Sequence, residues 1–89
     1  MIPLEELAGR KFKILKTLID EGGELNISAL AKRVGSNNRA VNAMLRPLMD
    51  AGLVTEKRYG RIRIIGLNED DPRIRALRAL IEIWGNRGS

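Results

Sequence analysis

Residues 25–54 constrain the fold more than any other stretch, because their pattern predicts two helices joined by a tight turn. Residues 26–34 favour a short amphipathic helix, and residues 37–50 favour a longer one. Gly35 and Ser36 form the expected turn between them, where a glycine adopts a positive φ at the least cost. Two helices in this order need a third element to complete a core.

The longer helix has two contrasting faces when its residues are placed at 100° intervals. One face is apolar and is expected to be buried: Val41, Met44, Leu45 and Leu48. The opposite face carries residues that can contact a ligand: Arg39, Asn42, Ala43 and Arg46. Pro47 lacks an N–H group, so we expect a bend that redirects Arg46. This pair of helices is a helix-turn-helix with one buried and one exposed face.

Short polar residues precede both helices and are candidates for capping their first N–H groups. Asn26 or Ser28 is expected to cap the shorter helix, and Ser36 or Asn37 the longer one. The remaining N–H groups at a helix start suit phosphate oxygens. Ser36 and Asn38 are therefore candidates for contacts with a phosphate backbone.

The composition excludes several classes of function. The chain has 89 residues, enough for one domain, and contains neither cysteine nor histidine. Disulfides, thiolate metal sites and histidine-based acid–base catalysis are therefore excluded. We expect a protein that is not an enzyme and that needs no metal or cofactor. No apolar run approaches the roughly 20 residues that cross a bilayer, so we expect a soluble, cytoplasmic protein with no membrane partner.

The charge of the chain points to the kind of partner. A net charge of +5 and a pI near 10.2 favour a polyanion. Glutamine is absent, while Ile, Leu, Arg and Glu are abundant, as in proteins from hot environments.

Residues 3–21 predict the first helix, which ends at Gly22 and Gly23. Apolar residues recur along it at helical spacing: Leu7, Ala8, Phe12, Leu15, Leu18 and Ile19. Gly9 marks either a weak point or a later start of this helix. Most of the basic residues lie off the apolar stripe: Arg10, Lys11, Lys13 and Lys16. They form a solvated face, or one or two of them contact the polyanion.

A β-hairpin is predicted after Gly52, which ends the longer helix. Residues 53–58 and 61–67 form its arms, with Tyr59 and Gly60 at the tip. Arginines and isoleucines alternate along the second arm: Arg61, Ile62, Arg63 and Ile64. This alternation predicts one face that is basic near the tip and one that is apolar, and Ile65 breaks it toward the base.

Basic residues crowd around the hairpin tip: Lys57, Arg58, Arg61 and Arg63. Glu56 supplies only one counter-charge for them. One interpretation is that they protect a sheet edge from aggregation. We favour the other, in which they contact phosphates or a minor groove while Tyr59 packs on a sugar.

The chain resembles the winged-helix transcription regulators of bacteria and archaea, such as the arsenic-repressor-like and multiple-antibiotic-resistance-regulator-like groups. The matching segments are residues 13–18 in the first helix, residues 27–35 and residues 40–54. The resemblance implies an α+β, mainly α, winged helix-turn-helix fold. Its parts are a three-helix core, a two-stranded β-wing and an extra C-terminal helix.

The resemblance also implies which residues contact double-stranded DNA. Residues on or beside the exposed helix face are expected to read bases: Asn37, Arg39, Asn42, Ala43 and Arg46. Residues of the turn and the wing are expected to contact the backbone: Ser36, Asn38, Lys57, Arg58, Tyr59, Arg61 and Arg63. Asn can pair with adenine and Arg with guanine, while Ala can meet a thymine methyl group. The alternative interpretation of the helix face is an ordinary solvated surface.

The C-terminal part divides into an acidic linker at residues 68–71 and a helix in residues 72–89. Asp71 is the expected N-cap and Pro72 the first helical residue. An apolar stripe follows along this helix: Ile74, Leu77, Leu80, Ile81 and Trp84. The stripe can fold back on residues 1–67, the expected DNA-binding domain, or pair with a second copy. We expect it to form a homodimer, with Trp84 as the anchor.

Three functions are compatible with this sequence. The leading one is a dimeric DNA-binding transcription regulator with the third helix in the major groove and the basic wing on the backbone or minor groove. The second is an architectural, nucleoid-type protein that binds DNA with little sequence preference. The third is a winged-helix module for protein contacts.

Overall fold

The computed structural model describes the backbone of residues 9–88 and the side chains of residues 9–85. It contains four helices and three strands in this order: α1 (Arg10–Asp20), β1 (Glu24–Asn26), α2 (Ile27–Arg33), α3 (Asn38–Asp50), β2 (Val54–Tyr59), β3 (Ile62–Leu67) and α4 (Pro72–Gly88). The predicted α+β, mainly helical, winged helix-turn-helix fold is confirmed. Within the described part of the chain, no helix is long and apolar enough to cross a membrane.

Within the described residues, α1 begins at Arg10, directly after Gly9, which is the later start that the sequence left open. Leu7 and Ala8 lie outside the described residues. The buried side chains of α1 are Ile14, Leu15 and Leu18. The predicted apolar stripe was therefore wrong at two positions. Phe12 is exposed, and Ile14, which was not predicted to be buried, is buried. Ile14 and Leu18 are four residues apart, so both lie on the face of α1 that packs against α2 and α3.

Asparagine side chains cap both helices of the helix-turn-helix. The Asn26 side-chain oxygen accepts from the Ala29 N–H at 2.8 Å, and the Asn37 oxygen accepts from the Ala40 N–H at 2.8 Å. Each cap satisfies one N–H group that has no partner inside its helix. Of the alternatives left open by the sequence, the structure selects asparagine in both places.

The turn between α2 and α3 depends on Gly35, whose φ is 70°. Its N–H donates to the Lys32 carbonyl at 3.2 Å, and the Ser36 N–H donates to the Ala31 carbonyl at 2.9 Å. This pair of hydrogen bonds is a Schellman motif, which ends a helix with a residue in the left-handed region. It sets the angle at which α3 leaves α2.

The helix α3 runs through Pro47 without interruption and buries Val41, Leu45 and Leu48. These side chains meet the buried residues of α1 and α2, while Met44 packs against the same core from its edge. The amphipathic pattern of this helix is therefore confirmed. Its opposite face is left to solvent.

The sheet has three strands rather than the predicted two. β1, which was not predicted as a strand, pairs antiparallel with β3, and the strand order is β1-β3-β2. The hairpin turn comprises Gly60 and Arg61, one residue later than predicted, because Tyr59 pairs with Ile62. Gly60 has a φ of 62° as the first of the two turn residues, which is the type II′ arrangement.

The face of β3 that carries Arg63 turns toward the helical core, and the face that carries Ile62 turns outward. Ile65 is fully buried and pairs with Leu25 over the helical core, so the alternation places Arg63 on the same side. Ile62 and Ile64 lie on the outer side, and Ile62 is 56% exposed. Ile65 therefore breaks the alternation of arginines and isoleucines toward the base, as predicted, because it is an apolar residue on the face that carries Arg63. Burial of Ile65 and Leu67 sets the register, and a one-residue shift would expose both.

The last helix divides into two parts. Near its start, Ile74 is buried in the core and Leu77 packs against the same cluster. Farther along, Leu80, Ile83 and Trp84 are exposed. Ile74, which we expected in a dimer interface, is instead enclosed by its own chain and is not available to a partner.

Candidate nucleic-acid interface

The solvent face of α3 carries four of the five predicted base-reading residues. Arg39, Asn42, Ala43 and Arg46 are all exposed. At 100° per residue they fall within a sector of about 100°, opposite the buried side. None of the four has a hydrogen bond or an ion pair from its side chain to another described residue. Two guanidinium groups and one amide are therefore exposed on α3, whose opposite face packs against the core.

The fifth predicted base reader has a different position. Asn37 directs its side-chain oxygen at the Ala40 N–H and so lies at the cap rather than on the helix face. Beside it, the Asn38 side-chain amide donates to the Ser28 hydroxyl at 3.4 Å, which connects the starts of α2 and α3. Ser36, a predicted backbone contact, is half-buried in the turn. The asparagines thus position the start of α3, and base reading would rest on the other four residues.

The basic residues of the wing have more acidic partners than the sequence suggested. The Glu56 carboxylate accepts from Arg63 Nη2 at 2.6 Å and from Arg58 Nε at 3.0 Å. Glu24, on β1, approaches the Lys57 amine at 4.0 Å. Arg61, in the turn, makes no ion pair with any residue that the structure describes. Glu24 was not predicted to lie near the wing, because only pairing of β1 with β3 brings it there.

These contacts shift the ionisation of the groups involved. The hydrogen bond from Arg63, with a smaller one from Arg58, lowers the pKa of Glu56 although partial burial opposes the shift. The same hydrogen bond raises the pKa of Arg63. Both groups therefore stay charged at neutral pH, and Glu56 neutralises part of the positive charge of the wing.

The predicted wing residues differ in how far they are available to a ligand. The side chain of Arg63 is 21% exposed and has a buried Nε without a partner, whereas that of Arg58 is 66% exposed. Tyr59 and Ile62 form an exposed cross-strand pair next to the turn. Arg58, Arg61, Lys57 and Tyr59 can reach a ligand, while Arg63 mainly holds Glu56.

An open apolar groove of about 700 Å³ lies between α1 and α4. Apolar residues form its walls: Phe12, Ile19, Leu80, Ile81 and Trp84. Charged residues lie at its edges: Lys16, Asp20, Arg78 and Glu82. This groove is separate from the exposed face of α3, so the described residues present a basic surface and an apolar surface at different places.

A helix-turn-helix with an exposed second helix, followed directly by a β-hairpin, defines the winged-helix class of proteins. The chain belongs to the winged helix-turn-helix DNA-binding family, whose model matches residues 7–55. The family predicted from the sequence is therefore confirmed. No curated protein sequence matches the chain significantly.

Solved structures similar to this one include regulators from bacteria. The crystal structure of a possible transcriptional regulator for arsenical resistance is 34% identical, with a TM-score of 0.66 over 91% of this chain and 81% of that one. A homodimeric winged helix-turn-helix domain from Mycobacterium bovis, a possible ArsR-family regulator, is 28% identical, with a TM-score of 0.71 over 94% and 75%. NolR from Sinorhizobium fredii is 28% identical, with a TM-score of 0.72 over 92% and 80%.

Proposed function

We propose that the protein is a dimeric transcription regulator that binds double-stranded DNA. The observation that carries this proposal is the exposed face of α3, where Arg39, Asn42 and Arg46 have no partner among the described residues. A solvated helix is usually covered by Glu and Lys, whereas Arg and Asn are the side chains that recognise guanine and adenine. Similarity to regulators with 28–34% identity supports the same function.

In this proposal α3 is the recognition helix and lies in the major groove. Its 13 residues span about 20 Å, long enough to follow several base pairs. Arg39 and Asn42 read base edges, Ala43 admits a thymine methyl group, and Arg46 contacts a base farther along. The N–H groups at the start of α3 meet a phosphate, helped by the positive end of the helix dipole.

The wing adds affinity without reading sequence. Arg58, Arg61 and Lys57 contact phosphates beside the groove that α3 occupies, and Tyr59 packs on a sugar. Arg61 has the largest role, because no described carboxylate competes for its guanidinium group. Arg63 contributes indirectly, through Glu56.

The dimer forms through the apolar surface of α1 and α4. Leu80, Ile83 and Trp84 are 52%, 60% and 74% exposed, and Phe12 borders the same groove. Apolar side chains of this size rarely cluster on a surface that stays in water. The homodimeric state of the Mycobacterium bovis domain supports a dimer. Two copies would then place two recognition helices about one turn of DNA apart.

The alternative is an architectural protein on the same scaffold, which the basic wing and the net charge of +5 favour. The two functions differ in their specificity ratio. A regulator binds its site orders of magnitude more tightly than bulk DNA at physiological salt, whereas an architectural protein has a small ratio and a steep salt dependence. A protein-interaction module would bind no duplex at moderate salt.

Selection of bound sequences from random duplex DNA tests the proposal. We expect an inverted repeat to be enriched. Arg39→Ala or Asn42→Ala should weaken binding to it by about 1–3 kcal/mol and leave binding to random duplex nearly unchanged. Arg61→Ala should weaken binding to both. Arg75→Ala, which removes the same charge from exposed α4, is the control for a general charge effect.

Two outcomes would contradict the proposal. Equal losses on selected and random DNA for the α3 variants would exclude base reading by that helix. Failure to enrich any sequence would favour the architectural function instead.

A further inference from the structure

The end of the recognition helix is bound to the start of α4 by hydrogen bonds to three successive carbonyl groups. Arg73 Nη2 donates to the Ala51 carbonyl at 2.7 Å. The Asn68 side-chain amide donates to the Gly52 carbonyl at 2.9 Å, and the Asn68 backbone N–H donates to the Leu53 carbonyl at 2.9 Å. Carbonyl groups at a helix end are commonly left to water. Here, Asn68 of the predicted linker and Arg73 of α4 take that place.

The arginine in this connection is itself held in one orientation. Asp71 accepts from Arg73 Nε at 3.0 Å and from Arg73 Nη2 at 2.7 Å, and it also caps α4 by accepting from the Arg73 N–H at 2.8 Å. Bidentate pairing of this kind restricts the guanidinium plane. Its positive charge also suits the negative end of the α3 dipole. We call Asn68, Asp71 and Arg73 the α3–α4 clasp.

The clasp lies at the base of α4, where that helix is also packed most firmly. Ile74 follows directly and is buried, and Arg78 pairs with Glu69 at 2.7 Å one turn farther on. Beyond this region, Leu80, Ile83 and Trp84 are exposed. The direction in which α4 leaves the domain is therefore set by its first two turns.

We propose that the α3–α4 clasp is a set of positioning residues that determines the distance between the two recognition helices of the dimer, and hence the half-site spacing that is bound. This inference rests on the proposed dimeric function. If the distal part of α4 forms the dimer contact, the base of α4 connects that contact to α3. The clasp is the direct link between the two helices.

Because α4 is long, a small change in its tilt at the clasp produces a large displacement of its far end. A helix of 17 residues is about 25 Å long, so a tilt of about 10° at its base moves its far end by about 4 Å. One base pair of DNA rises about 3.4 Å. A tilt of nearly 10° at the clasp therefore moves the far end of α4 by about the rise of one base pair.

The test uses the full chain and three duplexes: the inverted repeat selected by the wild type, and the same repeat with one base pair added or removed between its half-sites. The wild type should lose at least tenfold in affinity on either altered duplex. Arg73→Met and Asp71→Asn should bind the selected duplex about tenfold more weakly and differ less than threefold among the three duplexes. Arg75→Met, an exposed arginine on the same helix, should behave as the wild type does.

Two further measurements distinguish positioning from a general structural role. Affinity for a single half-site and the dimer dissociation constant from sedimentation should stay within about threefold of wild type in both variants. Asp71→Asn retains a side-chain acceptor for the N-cap, so it guards against loss of α4 in Arg73→Met.

The inference is overturned if the clasp variants keep the wild-type preference among the three spacings. It is also overturned if they lose affinity for the single half-site to the same extent, because the clasp would then act on α3 alone. If the wild type selects no inverted repeat, the proposed dimeric function fails and the inference fails with it. The wild type is measured first. Whether it selects an inverted repeat distinguishes failure of the proposed dimeric function from failure of the inference about the clasp.

Discussion

At the level of single residues, Glu56 neutralises part of the positive charge of the wing. Its carboxylate pairs with Arg58 and Arg63 at once, and one of these, Arg63, is largely covered. Glu56 therefore both braces the hairpin and reduces the field that the wing presents to a phosphate backbone.

Replacing Glu56 with Gln should strengthen binding to random duplex DNA by about two- to fivefold, because one negative charge is removed near the phosphates. The dependence of affinity on salt should also become steeper. Asp70→Asn changes the net charge equally outside the wing and should have a smaller effect. Binding measured by fluorescence anisotropy at several salt concentrations checks this, and an unchanged or weaker affinity for Glu56→Gln would contradict it.

Asp71 provides a prediction about acid stability. Hydrogen bonds from the Arg73 side chain and then from its backbone N–H lower the pKa of Asp71 from 3.8 to about 2. A carboxyl group with a lowered pKa stabilises the folded state fully above its ordinary pKa, and this contribution is lost as the pH falls toward the folded-state value.

The difference in unfolding free energy between wild type and Asp71→Asn should therefore be constant from about pH 5 to pH 8 and decrease between about pH 4 and pH 2. Denaturant titrations at a series of pH values measure it. In an Arg73→Met background the difference should be smaller at every pH, because the main partner is gone. A difference that varies between pH 5 and pH 8 would argue against this account.

At the scale of elements, the helix-turn-helix is built mainly from local interactions. Asn26 and Asn37 cap the two helices, and Gly35 ends the first of them with a φ of 70°. A Cβ atom at Gly35 would have no neighbour within 4 Å, so only the backbone conformation restricts that position.

Gly35→Ala should lower the unfolding free energy by about 1 kcal/mol, because an alanine is strained in the left-handed region. Gly35→Asn should cost less, since asparagine tolerates that region better. Thermal or urea unfolding of both variants measures the difference. Equal losses of unfolding free energy in the two variants would indicate that the added side chain, rather than the left-handed backbone conformation, causes the destabilisation.

In the molecule as a whole, α4 contributes to both the buried core and an exposed apolar patch. Ile74 completes the core, while Leu80, Ile83 and Trp84 leave an apolar patch beside α1. The same helix would thus anchor the fold at one end and provide the proposed dimer contact at the other.

Trp84→Asp should weaken the dimer at least a hundredfold while changing the unfolding of the isolated monomer little, because Trp84 is 74% exposed. Ile74→Ala should instead destabilise the fold by about 2–4 kcal/mol through the cavity it creates. Sedimentation equilibrium and circular dichroism separate the two effects. A Trp84→Asp protein that sediments as a dimer at micromolar concentration would place the interface elsewhere.

Features that depend on neighbours along the chain could be predicted from the sequence. The two helices of residues 25–54 follow from their periodicity, their ends from Asn26, Asn37, Gly35 and Gly52, and the hairpin from its β-branched arms. Capping, helical spacing and turn conformation act within about five residues, so their signals can be read locally. The exposed face of α3 was predicted for the same reason.

Features that depend on pairing between distant parts of the chain could not be predicted from local patterns. β1 is three residues long and is recognisable as a strand only because it pairs with β3, and that pairing brings Glu24 near Lys57. The outward position of Ile62 and the burial of Ile74 depend on which apolar residues the common core accepts. Such contacts join residues far apart in sequence, and their free energy depends on burial and register rather than on local propensity.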